Sequence, residues 1–252
     1  MLRTENVTIR FGGLVAVNKV SVHIRKGQIT GLIGPNGAGK TTFFNCISGV
    51  YKPSEGAVIF DGKHIEGKRG FQINEAGIAR TYQIINLFRK MTVLENVMVG
   101  MHSRLKSGFF RNLVHAPSMR REEAAAKRKA YELLEFVGLR EKAMNSAGSL
   151  SYGEQRLLEI VRGLASDPKL LLLDEPAAGM NTTEKEDLHK LMKKIIQRGV
   201  TILVIEHDMK LVMGVCDYLY VLEHGSLLAE GTPEEVQNNP EVIEAYLGGD
   251  EQ

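Results

Sequence analysis

Cysteine is scarce. The 252 residues contain two, Cys46 and Cys216, in unlike surroundings. That argues against a structural disulfide, excludes a cysteine-rich zinc site, and fits a reducing compartment. Charge of one sign is scarce too. Lys and Arg number 32 against 30 Asp and Glu, a formal +2 with His neutral. The balance gives no whole-chain case for nucleic acid or an anionic membrane. No apolar run approaches the roughly 20 residues that cross a bilayer. The opening MLRTENVTIRFGG holds no continuous apolar signal segment. The expectation is a soluble chain, or one held at a membrane by a partner. What is present is globular material: 43% hydrophobic and 25% charged residues supply a core for one or two domains.

The first third reads as short strands joined by glycine turns. Residues 4–11 form a strand candidate, and two more flank Lys26-Gly27. The second of these, residues 29–33, runs into a glycine-rich loop, with a helix expected from Lys40 and stopped by Gly49. AVIFDGKHI reads as a hairpin around Asp61-Gly62. The middle third is different. Residues 124–137 are strongly helix-forming, with Leu133, Leu134 and Val137 as an apolar stripe and Gly138 as the stop. The surrounding Arg and Lys residues alternate with Glu122, Glu123, Glu132 and Glu135, which favours a solvated helix face over a nucleic-acid patch. The last third returns to strand–helix order. Residues 170–173 and 200–205 are all but unbroken apolar runs, as in strands buried on both faces. Thr183 and Glu186 have capping-box spacing before a helix whose stripe is Leu188, Met192, Ile195 and Ile196, ended by Gly199. A helix over 209–215, a strand over 218–222 and a turn at Glu223-His224-Gly225 complete the order. No repeat of the whole order occurs.

Gly34-Pro35-Asn36-Gly37-Ala38-Gly39-Lys40-Thr41 fulfils G-x-x-x-x-G-K-[ST], with Thr42 next on the expected helix. Glycines permit tight curvature and turn backbone amides toward phosphate. Lys40 puts a point charge at the outer phosphates, Thr41 offers a hydroxyl to Mg2+, and the helix adds its N-terminal amides. The motif implies binding of a nucleoside triphosphate. Further along, the apolar run ends in Asp174-Glu175-Pro176. A carboxylate at a strand end can hold Mg2+ through water, and the next can orient the attacking water. Asp174 fits the first role and Glu175 the second. His207 closes the other apolar run, where it can hydrogen-bond the terminal phosphate and hold the water. Alone it would read as structural; the order of motifs reverses that preference. His23, His64, His102, His115, His189 and His224 show no metal-ligand pairing and read as surface or packing residues.

Leu150-Ser151-Tyr152-Gly153-Glu154-Gln155 resembles the LSGGQ signature of ABC ATPases. With GPNGAGKT, Gln83, LLLLDEP and His207 in order, the chain resembles the nucleotide-binding subunit of an ABC transporter over nearly its whole length. The resemblance implies an α/β fold: a P-loop NTPase core with an N-terminal antiparallel β component and an inserted helical subdomain at approximately residues 87–160, all within one domain spanning 1–252. It implies ATP as the nucleotide, stacked on Phe11, and a Mg-dependent ATPase. It implies that Ser151 and Gly153, with Glu154 and Gln155 beside them, face the terminal phosphate held by an opposite subunit. Gln83 matches the Q-loop glutamine, near Mg2+ or water. Ala177-Ala178-Gly179-Met180-Asn181 resembles the interface loop after the catalytic acid, with Asn181 where many members carry aspartate. Tyr152 departs from the common signature residue.

FGGLVAV, the stretch from ARTYQ to MTVLENVMVG, and EEVQNNPEVIEAYLG resemble LivG-like branched-chain amino-acid importer ATPases more narrowly. That likeness implies a homodimer or a heterodimer with a second ABC ATPase, two membrane permeases, an external substrate-binding protein, and a peripheral place on the cytoplasmic face of the cell membrane. No direct nucleic-acid partner is expected. Urea/amide importer and lipopolysaccharide-exporter ATPases share parts of the pattern. ABC ATPases of DNA repair or translation share the ATP site, but the long coiled-coil insertion and second nucleotide module are missing here.

Overall fold

Strands rich in leucine, isoleucine and valine build the centre of the molecule. The computed structural model describes residues 1–101, 117–207 and 209–247. Numbered along the chain, β4 (Ile29–Ile33), β8 (Leu170–Asp174) and β9 (Thr201–Ile205) are buried at every position, as strands covered on both faces must be. They join β7 (Ile78–Arg80), β10 (Tyr218–Glu223) and β11 (Ser226–Gly231) in a six-stranded sheet ordered β11-β10-β4-β9-β8-β7. Every pairing in it is parallel except the β10–β11 hairpin. A second, antiparallel sheet contains β1 (Leu2–Phe11), β2 (Leu14–Val20), β3 (His23–Ile24), β5 (Glu55–Phe60) and β6 (Lys63–His64). The expected hairpin at Asp61-Gly62 is present, with both residues at positive φ (47° and 77°) as a type I′ turn requires.

Alternation along the buried strands divides the core in two. Leu171, Leu173, Ile202 and Val204 face one apolar cluster, shared with α3 (Val93–Gly100), α4 (Pro117–Phe136), α5 (Tyr152–Leu164), α6 (Thr182–Gln197) and α7 (Met209–Val215). Leu170, Leu172, Leu203 and Ile205 face the other, with the antiparallel sheet, α1 (Lys40–Ile47) and Ile73 of α2 (Gly70–Ala76). The period-2 geometry of a strand makes that split. Two short helices, α8 (Pro233–Gln237) and α9 (Pro240–Leu247), finish the described chain and bury Val236 and Val242 in the first cluster.

The middle helices α3, α4 and α5 pack on one another. Leu133 and Leu134 are buried and Val137 packs beside them, before Gly138 at φ 76°. The expectations for His102 and His115 lie outside the described residues. One expectation is corrected. The capping box on α6 is not Thr183 with Glu186 but Asn181 with Glu184: Asn181 Oδ1 accepts from the Glu184 amide at 3.0 Å, and Glu184 Oε2 accepts from the Asn181 amide at 2.9 Å. Asn serves at an N-cap as well as Ser, so the helix begins at Thr182 and Thr183 lies within its first turn.

The parallel strands β7, β8, β9 and β4 all end on one edge of the sheet. The segments that follow them, at residues 81–83, 174–175, 206–207 and 34–41, therefore emerge side by side. That edge is where open α/β sheets place their ligands.

Candidate functional site

The glycine-rich loop leaves β4 through Gly34, at φ 145°, where a Cβ would stand 2.1 Å from the Leu222 carbonyl oxygen. It enters α1 through Gly39, at φ 94°, where a Cβ would stand 2.5 Å from the Ala16 carbonyl oxygen. At these two positions any side chain would collide with backbone. Lys40 Nζ donates to the Gly34 carbonyl at 2.6 Å and the Pro35 carbonyl at 2.8 Å. Burial lowers the pKa of this ammonium, with Glu175 opposing the shift. Thr41 and Thr42 line a cavity of about 610 Å³ together with Asn36, Gly37, Ala38 and Gly39 of the loop, Phe11, Glu175 and His224. Phe11 is 44% exposed and meets Tyr51 edge-on, ring centroids 5.2 Å apart. A flat base can stack on such an open ring.

Asp174 ends β8 as a buried carboxylate. Arg80 Nη2 donates to its Oδ2 at 2.7 Å, and Arg80 Nη1 donates to Asn45 Oδ1 and Ser48 Oγ, each at 2.7 Å. The guanidinium also lies over the rings of Tyr82 and Phe44, 5.0 and 5.5 Å from their centroids. Glu175 follows at φ 45°, a left-handed conformation that costs a residue of this kind about 1–3 kcal/mol. Its amide donates to the Ile205 carbonyl at 3.0 Å, which holds it across the end of β9. Gln83 Nε2 donates to Glu175 Oε2 at 3.0 Å, and His207 Nδ1 stands 3.8 Å from the same oxygen. The structure thus brings Gln83, Glu175 and His207 together, with Lys40 and Asp174 alongside. The His207 side chain is largely exposed. Its neighbour Glu206 is buried and accepts from the Ala177 amide at 2.8 Å, bracing the loop after Glu175.

Ser151 is the N-cap of α5: its hydroxyl accepts from the Glu154 amide at 3.3 Å, and Glu154 Oε2 accepts from the Ser151 amide at 3.0 Å. Lys142 pairs with Glu154 and holds its carboxyl below the usual range. Gln155 Nε2 donates to the Leu150 carbonyl at 2.8 Å. Gly153 is buried against α6, where a Cβ would meet Glu184 Oε1 at 2.4 Å. Tyr152 is exposed and its ring covers Gly179. Among the described residues, none of Ser151, Gly153, Glu154 and Gln155 lines the cavity at the phosphate loop.

Three positions in and around the candidate site were not singled out from the sequence. Arg80 reaches Asp174 and Arg156 reaches the Gln83 carbonyl, and nothing in the local pattern marks either arginine. His224, read as a surface or packing residue, borders the cavity at the glycine-rich loop because the β10–β11 turn folds over the loop. The capping-box spacing of Ser151 with Glu154 was available as a signal for the start of α5.

A glycine loop on a buried strand, an acidic strand end and a polar cluster around one strained glutamate define a nucleoside-triphosphate hydrolase site. The family model described as "ABC transporter" matches residues 17–178, and the chain belongs to that family, as an ATP-binding and ATP-hydrolysing subunit. A second model, described as "Branched-chain amino acid ATP-binding cassette transporter", matches residues 226–252. The chain is closely related to the LivG-like group within the family. It is 50% identical, over 249 residues and 98% of each chain, to the high-affinity branched-chain amino acid transport ATP-binding protein LivG of Salmonella typhimurium. An ATP-binding cassette of an ABC transporter, solved in its ADP conformation, matches with a TM-score of 0.85 at 35% identity over 98% of each chain. A dimeric bacterial ABC transporter cassette matches with a TM-score of 0.77 at 25% identity, over 92% of this chain and 99% of that one.

Proposed function

We propose that this chain is the Mg-dependent ATPase that drives import of branched-chain amino acids: leucine, isoleucine and valine. The observation that carries the substrate reading is its full-length likeness, into the last helix, to the ATP-binding protein of a branched-chain amino acid transporter. In this reading it pairs with a second ABC ATPase, itself or a related chain, and the pair serves two permeases fed by an external binding protein. The dimeric cassette among its relatives supports the pairing. The whole of 1–252 acts as one nucleotide-binding domain, and approximately residues 87–160 act as the helical subdomain.

Thr41, Gln83 and Asp174 would hold Mg2+. Their donors are a hydroxyl, an amide oxygen and a carboxylate, which suits a hard ion that takes few protein ligands and keeps water and phosphate oxygens. Among the described residues, no cluster of three or more His, Cys, Asp or Glu side chains gathers to bind a metal by itself. Bound there, the ion supplies charge neutralisation at the terminal phosphate. Phe11 stacks on adenine, and residues 34–42 cradle the phosphates with backbone amides and the Lys40 charge. Asp174, oriented by Arg80, would supply the carboxylate that holds the ion. Glu175 orients the attacking water and accepts its proton, with Gln83 and His207 fixing the carboxylate and the water. Ser151 and Gly153, with Glu154 and Gln155 shaping the turn, present the end of α5 to the partner's nucleotide.

Among the described residues, no helix is long and apolar enough to cross a membrane. In this reading coupling runs through a permease contact. Tyr82, Ile84 and Phe88 are exposed around Gln83, Ile84 at 83%. Of these, Phe88 lines a groove of about 310 Å³ between β7 and α5, with Asn86, Val99 and Arg162 also in its walls. We assign the permease contact to this groove, on the cytoplasmic face of the membrane. Reconstitution with the cognate permeases and binding protein tests the reading. ATP-dependent uptake of labelled leucine, isoleucine or valine is expected. Uptake of urea in their place would reject the substrate and keep the motor.

A further inference from the structure

Arg156 is fully buried one turn into α5, the helix whose first turn carries Ser151 and Gly153. Its guanidinium does not stay within the helix. Nη1 donates to the Tyr82 carbonyl at 2.7 Å and to Glu159 Oε2 at 2.9 Å, and Nη2 donates to the Gln83 carbonyl at 2.8 Å. Glu159, equally buried, turns its other oxygen toward the Tyr82 and Asn86 amides at 3.4 and 3.5 Å. Arg162, six residues beyond Arg156, donates to the Asn86 carbonyl at 2.6 Å. Three side chains of one helix thus hold the main chain of residues 82–86, a segment outside helix and strand.

A buried ion pair returns in attraction roughly what it loses in desolvation. Arg156 Nε is buried here without a partner. Stability alone therefore accounts poorly for the arrangement, whereas position accounts for it well. The Gln83 carbonyl is fixed to α5, and the Gln83 side chain reaches Glu175 Oε2 at 3.0 Å. A shift of α5 against the sheet must carry Gln83 with it, relative to a glutamate anchored on the Ile205 carbonyl.

We propose that Arg156 is a positioning residue for ATP hydrolysis: through the Tyr82 and Gln83 carbonyls it sets Gln83 against Glu175, so that the position of the signature helix is read at the chain's own hydrolytic carboxylate. The proposal rests on the ATPase reading above. In a nucleotide-bridged pair it gives a physical route from the phosphate contacted by Ser151 and Gly153 to the site on the other side of the same chain.

Arg156→Lys tests it. Lysine keeps the charge opposite Glu159 but has no planar fork to reach two carbonyls. In the full chain assembled with its partner ATPase and permeases, Arg156→Lys should lower kcat about tenfold and leave KM for ATP within about twofold. In a Gln83→Ala background the same substitution should lower kcat less than about twofold, because both act through one contact. Equal losses in the two backgrounds, or an unchanged kcat, would overturn the proposal. Should the lysine variant fail to fold, Glu159→Gln carries the same cycle. Hydrogen exchange on the isolated chain is independent of dimer formation and turnover: amides 82–86 should exchange faster in the variant, and unchanged exchange there would also overturn it. Failure of the paired subunits to close on ATP would count against the dimer alone.

Discussion

Arg80 and Asp174 form a buried ion pair, Nη2 to Oδ2 at 2.7 Å, between the last residues of two adjacent parallel strands. The arginine orients the carboxylate we assign to Mg2+ and ties it to Asn45 and Ser48, near the end of α1. Arg80→Ala leaves that carboxylate buried and unpaired. It should lower unfolding free energy by about 3–5 kcal/mol and weaken Mg2+-dependent nucleotide binding. Denaturant unfolding with and without nucleotide measures both. A loss below about 1 kcal/mol would show that the pair is not what holds Asp174.

In the proposed mechanism Glu175 acts on water rather than on nucleotide affinity. Glu175→Gln keeps the side-chain shape and should leave ATP affinity within about threefold while cutting turnover at least about a hundredfold. Phosphate release and equilibrium nucleotide binding, measured on one preparation, separate the two effects. Normal turnover in the variant would remove the water-positioning role. His207→Ala should also slow turnover, with unchanged unfolding to be verified because the residue adjoins buried Glu206.

Two glycines of the phosphate loop should respond differently to alanine. At Gly34 the new Cβ meets the Leu222 carbonyl oxygen at 2.1 Å, whereas at Gly37 nothing lies within 4 Å and only a φ of 79° opposes the change. Gly34→Ala should abolish ATP binding. Gly37→Ala should cost about 1 kcal/mol and keep measurable affinity. Equal affinities would show that contact with β10 does not shape the loop.

Both thiols are buried, and burial pushes Cys46 and Cys216 up to about 12. They should resist thiol reagents in the folded chain near neutral pH and react after denaturation. Because the folded values lie above the unfolded value of about 8.5, their stabilising effect is complete below that pH. It is lost as pH rises from there toward 12, by roughly 2 kcal/mol per thiol by pH 10. Rapid labelling of the native protein would contradict the burial.

Gln83 meets Glu175 through its side chain and lies three residues before Asn86, which lines the exposed groove. Gln83→Ala should reduce transport in reconstituted vesicles more than it reduces nucleotide binding. Unchanged transport, in a correctly assembled complex, would sever that link.

Much of this site was legible because its signals are local. The phosphate loop needs glycine at fixed offsets, and buried parallel strands announce themselves as apolar runs, so Lys40, Asp174 and Glu175 stand out in the sequence. The α6 cap was misread because Thr183-x-x-Glu186 and Asn181-x-x-Glu184 offer the same spacing, and only the path of the preceding loop decides between them. Arg80 and Arg156 were invisible for another reason. Their partners lie 94 and 73 residues away, and a lone arginine carries no mark of the carboxylate or carbonyl it will meet. The strain at Glu175 was equally hidden, since it arises where β8 and β9 end together.

The most direct test is sedimentation of the Glu175→Gln chain, alone and with its cognate ATPase, in the presence of ATP and Mg2+. If ATP joins each phosphate loop to the partner's Ser151 and Gly153, a dimer should form with ATP and dissociate when ADP replaces it. A chain that binds ATP yet sediments as a monomer in both mixtures would contradict a motor driven by nucleotide closure.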